Sequence, residues 1–89
     1  MADWIIVVDD DVSNLQAAGT ILSRNNMRVT ALDSGQALLD YVKDNGAPDL
    51  ILLDINMPVM DGFETLNRYR ILEENLSIPK VPEIGRAHV

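Results

Sequence analysis

Two short runs of aliphatic residues, Trp4-Ile5-Ile6-Val7-Val8 and Leu50-Ile51-Leu52-Leu53, each stop on an aspartate. A strand that is apolar at every position has no face for water, so both of its faces must be covered. Helices do the covering in such sheets, and the intervening residues supply them. From Ser13, which reads as an N-cap, the positions Leu15, Ala18, Ile21 and Leu22 recur at helical spacing until the Asn25-Asn26 pair. Met27 to Leu32 alternates, with Met27, Val29 and Ala31 set against Arg28 and Thr30, which predicts a strand near a sheet edge. Ser34-Gly35 opens a second helix with Ala37, Leu38, Tyr41 and Val42 on one face; Asn45-Gly46 ends it and Pro48 forbids its continuation. Beyond the second aliphatic run, a loop from Ile55 to Gly62 leads to a third helix from about Phe63 to Asn75, with Asp61 as its cap and Phe63, Leu66 and Tyr69 facing inward.

The order βαβαβα predicts an α/β fold with a doubly wound, mostly parallel sheet. Two continuous apolar strands and one alternating strand give the strand order 2-1-3, and right-handed crossovers put the first helix alone on one face. With 89 residues and 47% apolar content the chain suits one small domain with a thin stability margin. Fourteen acidic residues against seven Lys and Arg give a net charge of −7, and the basic residues are scattered, which argues against binding to nucleic acid or to an anionic membrane. The lack of cysteine excludes disulfides and thiol chemistry. Met1-Ala2-Asp3 has no basic n-region and the apolar run that follows is short, so the expected location is cytoplasmic.

Ligands of open parallel sheets bind beyond the carboxyl ends of the strands, where the strand order reverses. Here that point lies between the first and third strands and receives Asp9, Asp10 and Asp54. Carboxylates brought this close repel one another, and a hard divalent cation relieves the repulsion. Mg2+, which keeps several waters and prefers one or two carboxylates plus a phosphate, fits best. With charge drawn off by the ion, a carboxylate oxygen of Asp54 can attack phosphorus as a covalent nucleophile. Acidic residues after a strand are also common as solvated loop groups or as favourable charges at a helix N-terminus, and Asp11 reads as that solvent-facing case. Asp54 does not, because it directly follows four apolar residues and precedes a Pro-containing loop, where function concentrates.

Val7-Val8-Asp9-Asp10 together with Pro48-Asp49-Leu50-Ile51-Leu52-Leu53-Asp54-Ile55-Asn56-Met57-Pro58-Val59-Met60-Asp61-Gly62 resembles the receiver domain of two-component signalling. The likeness runs from Trp4 to about Pro82. It implies a flavodoxin-like fold and a phosphoacceptor at Asp54, supplied by a sensor histidine kinase or a phosphotransfer protein. It further implies Mg2+ held by Asp10 directly, by Asp9 beside it, often through water, by Asp54 and by the main-chain carbonyl of Asn56. By the same resemblance, Pro58 and Gly62 would shape the loop that holds this geometry. The resemblance implies a signalling acceptor rather than an enzyme.

The sequence departs from that pattern after Pro82. The family continues into a fourth strand ending in Ser or Thr, a fifth followed by Lys, and two more helices. Residues 83–89, Glu-Ile-Gly-Arg-Ala-His-Val, do not read as the fourth strand. Residues 1–82 are therefore expected to form the N-terminal part of a receiver domain with strands four and five missing. Residues 83–89 are expected to be non-native, since the codons GAG ATC GGA AGA GCA CAC GTC, which match a common sequencing adapter, encode them. Two other readings compete. A receiver-like interaction module would share the fold without accepting phosphate. A haloacid-dehalogenase-like phosphatase would also use an aspartyl nucleophile with Mg2+, but it needs an aspartate two residues further on, where this chain has Asn56.

Overall fold

The computed structural model describes residues 3–54 and 60–77, and the backbone of 84–87. The elements run β1 (Trp4–Val8), α1 (Val12–Arg24), β2 (Arg28–Leu32), α2 (Gly35–Asn45), β3 (Leu50–Asp54), α3 (Gly62–Leu76) and β4 (Ile84–Ala87). All strand pairs are parallel and the sheet order is β2-β1-β3-β4. The order 2-1-3 thus stands as expected, in the flavodoxin-like arrangement. The expectation of a missing fourth strand does not: Ile84–Ala87 pairs with Ile51–Asp54. Main-chain pairing explains this, because β3 would otherwise present a row of unpaired N–H and C=O groups that any Pro-free segment can satisfy.

Alternation along the strands sorts the sheet into two faces. Ile6, Val8, Ile51 and Leu53 form one buried cluster with Leu38, Leu39 and Val42 of α2 and Tyr69 and Leu72 of α3. Fully burying an aliphatic or aromatic side chain of this kind contributes about 1.5–3 kcal/mol, so this face carries most of the core. Ile5 and Val7 point the other way and are buried beneath α1, which packs on β1 and β2. No residue of α1 is fully buried. Its inward stripe is Leu15, Ala18 and Leu22, all half-buried, whereas Ile21 is 60% exposed. Ile21 was expected inward; at 100° per residue it lies a full step from Leu22, off the stripe.

Caps set the helix ends. Ser34 Oγ accepts from Ala37 N at the start of α2, and Gly46, with φ of 88°, ends it. Asp61 Oδ1 accepts from Glu64 N at 2.8 Å and caps α3 as expected. At α1 the cap is Asp11 rather than Ser13: Asp11 Oδ1 accepts from Ser13 N at 2.8 Å, so the helix begins earlier than its apolar pattern. In α3 the inward residues are Thr65, Tyr69, Leu72 and Glu73, with Leu66 half-buried, while Phe63 is 52% exposed. Steps of three residues drift around a helix by 60° each, and Phe63 falls outside the face that Tyr69 occupies.

The strand ends opposite the acidic residues are pinned separately. Asp49 N donates to Trp4 O at 2.8 Å, and Trp4 N donates to Asp49 Oδ2 at 2.7 Å. Trp4 Nε1 donates to Thr30 Oγ1 at 3.0 Å, with the Arg28 guanidinium 4.6 Å from the indole ring centroid. These contacts tie β1 to both neighbours and fix the register that aligns the aspartates at the far end. Among the described residues no helix is long and apolar enough to cross a membrane.

Candidate functional site

The register of the two central strands assembles the site. Val8 pairs with Leu53, so one step further along each strand places Asp9 beside Asp54. Asp9 N donates to Leu32 O at 3.1 Å, holding this residue in line with the sheet after β1 ends. Asp10 then turns outward. One carboxylate oxygen from each of Asp9, Asp10 and Asp54 lies within 4.8 Å of the others. Asp9 and Asp54 are buried, at 4% and 8% exposure, whereas Asp10 is open to solvent. This is a hard, anionic, all-oxygen donor set with one wet side, the chemistry that suits a small divalent cation keeping part of its water shell.

The first turn of α1 faces the same cluster. Its N–H groups carry the positive end of the helix dipole and offset part of the acidic charge. Asp9 is held by two donors from this turn: Asp11 N to Oδ1 at 3.0 Å and Asn14 Nδ2 to Oδ2 at 3.1 Å. Asp11 itself is exposed, as expected, but its side chain is engaged as the α1 cap.

The structure therefore brings together Asp9, Asp10 and Asp54, three of the four residues singled out in the sequence. The fourth, Asn56, lies outside the described residues, as do Met57 and Pro58. Sequence reasoning missed Asn14. The available signal was its position: Asn14, Ala18 and Leu22 fall at i, i+4 and i+8, so a polar side chain heads an otherwise apolar inward stripe next to the acidic strand end.

Comparison with known proteins follows the same lines. Residues 5–81 match the response regulator receiver domain family. A probable histidine kinase 3 from Oryza sativa subsp. japonica is 41% identical over 73 residues, which is 82% of this chain and 7% of the kinase. The N-terminal domain of a response regulator receiver protein from Methanoculleus marisnigri JR1 superposes with a TM-score of 0.82 at 34% identity, over 97% of this chain and 66% of that one. The receiver domain of a histidine kinase from Arabidopsis thaliana, solved as a complex with Mg2+, superposes with a TM-score of 0.78 at 25% identity, over 94% of this chain and 66% of that one.

Proposed function

This chain belongs to the response regulator receiver family of two-component signalling, and from that premise we propose that Asp54 accepts a phosphoryl group from a phosphohistidine, with Mg2+ held by Asp9, Asp10, Asp54 and the Asn56 carbonyl. The convergence of three carboxylates at the end of β1 and β3 carries this reading. A bound Mg2+ would supply positive charge to the phosphoryl oxygens and to the attacking carboxylate. Asp54 supplies the nucleophile: a carboxylate oxygen forms the new O–P bond as the N–P bond to the donor imidazole breaks, and the leaving imidazole takes up a proton from solvent. Asp10, on the wet side, would hold the ion directly. Asp9, beside it, would hold the ion through water, and the N-terminus of α1 offsets part of the local negative charge.

The donor is a sensor histidine kinase or a phosphotransfer protein in the cytoplasm. The similar kinase from rice and the Mg2+ complex of the Arabidopsis receiver domain support donor and ion respectively. Incubation with acetyl phosphate and Mg2+ should add one phosphoryl group that is labile to base, detected by intact mass. Asp54→Asn keeps the shape but removes the nucleophilic charge, so it should abolish labelling. Acid-stable labelling that persists in this variant would assign the phosphate to a Ser or Thr. Binding of Mg2+ without any labelling would instead favour an interaction module.

A further inference from the structure

The two donors on Asp9 are unequal in what they allow. Asp11 N is main chain and holds Oδ1 in every variant, whereas the Asn14 amide is a side chain placed by α1 and holds Oδ2. A carboxylate can only accept here, so the group facing Oδ2 has to be the NH2 of the amide. With one donor on each oxygen and only 4% of its surface exposed, the Asp9 carboxylate is fixed in the plane those donors define. Asp10 differs, being exposed and meeting no donor among the described residues.

We propose that Asn14 is a positioning residue that sets the cation preference of the site, holding Asp9 back so that Asp10 and Asp54 are the carboxylates that meet the ion directly. This rests on the reading of the aspartate cluster as the Mg2+ site. Mg2+ requires a strict octahedron, gives up water reluctantly and is content with one or two carboxylates; Ca2+ takes more oxygen ligands in looser geometry. Without the Asn14 donor, the Asp9 carboxylate would be free to turn about the remaining Asp11 bond and could add a third anionic ligand. That change favours Ca2+ over Mg2+.

The test is a calorimetric titration of the full 89-residue chain with Mg2+ and with Ca2+, for the native sequence, Asn14→Leu and Asn14→Gln. Outer partners of metal ligands typically alter affinity by about tenfold or more, so Asn14→Leu should raise the ratio of Ca2+ to Mg2+ affinity by about tenfold. Asn14→Gln, which keeps an amide donor, should return the ratio toward native. Asn14→Ala supplies a second donor-free variant should the leucine form fail to fold. An unchanged ratio in a folded donor-free variant, or equal changes for both ions, overturns the proposal and leaves the Mg2+ site standing. Absence of Mg2+ binding by the native chain removes the site and this inference with it.

Discussion

Asp10 and Asp11 share one side-chain chemistry and are put to different uses by one turn of backbone. Asp11 Oδ1 caps α1, whereas Asp10 faces the site. Asp11→Ala should therefore lower stability by about 0.5–2 kcal/mol, the usual cost of losing a cap, and leave Mg2+ affinity nearly unchanged. Asp10→Ala should do the reverse, weakening Mg2+ by more than about tenfold with little effect on a urea melt. Equal effects of the two substitutions in a metal titration would take Asp10 out of the site. A second residue-scale consequence concerns Tyr69. Its hydroxyl is buried without a hydrogen-bond partner among the described residues, and burial, reinforced by the nearby Glu73 carboxylate and opposed by Arg70, pushes its pKa from 10.0 up to about 12. Between those values the unfolded chain releases the phenolic proton while the folded chain retains it. Stability should then be fully present below pH 10 and fall as pH rises toward 12. Tyr69→Phe should flatten that fall in denaturant melts taken across the alkaline range, and should leave stability at neutral pH unchanged or raised, since it deletes an unsatisfied polar group. An equally steep decline in the phenylalanine variant would assign it to other groups.

Two helices approach closely at the start of α2. A Cβ on Gly35 would collide with Oγ1 of Thr65, which is fully buried on α3 and donates to Asp61 O at 2.8 Å. Gly35→Ala should force α2 and α3 apart and destabilise by about 1–3 kcal/mol, the range for overpacking. Thr65→Ala in the same chain should recover part of that loss, and strict additivity of the two changes in a double-mutant cycle would exclude the clash. Legibility in the sequence followed the same division between local and tertiary causes. Ser34, Gly46 and Asp61 act where they were expected because capping is settled within a few residues. The apolar strands and their order were legible because a run such as Ile5 to Val8 admits only a doubly covered strand. Ile21 and Phe63 were misplaced because which side of a helix faces the sheet depends on a docking angle that spacing does not encode. The convergence of Asp9, Asp10 and Asp54 was legible from topology, but the Asn14 amide was not, since its role depends on α1 presenting that one residue to a neighbouring strand end.

At the scale of the whole molecule the two faces of the sheet are unequal. Among the described residues, one is sealed by α2 and α3, while α1 alone covers the other, and Leu50 and Leu52 of β3 are only half-buried. The outer edge of β3 is closed by β4 through main-chain pairing, from Ile51 with Ile84 to Asp54 with Ala87. Such pairing draws on groups that every non-proline residue carries, so it makes no demand on the identity of residues 84–87. The reading of 83–89 as foreign sequence stands as a proposal, which resequencing of the source locus tests. Closure of the edge, rather than the side chains that close it, should then govern solubility. A chain ending at Pro82 would present the Leu50-Ile51-Leu52-Leu53 edge without a partner, and an unpaired apolar edge is a template for another chain. It should self-associate as concentration rises, seen by light scattering, and unfold at lower urea than the 89-residue chain. Replacing residues 83–89 with another Pro-free heptapeptide of similar β-propensity should restore both properties. A shortened chain that stays monomeric with an unchanged urea midpoint would show that β4 contributes nothing to closing the sheet.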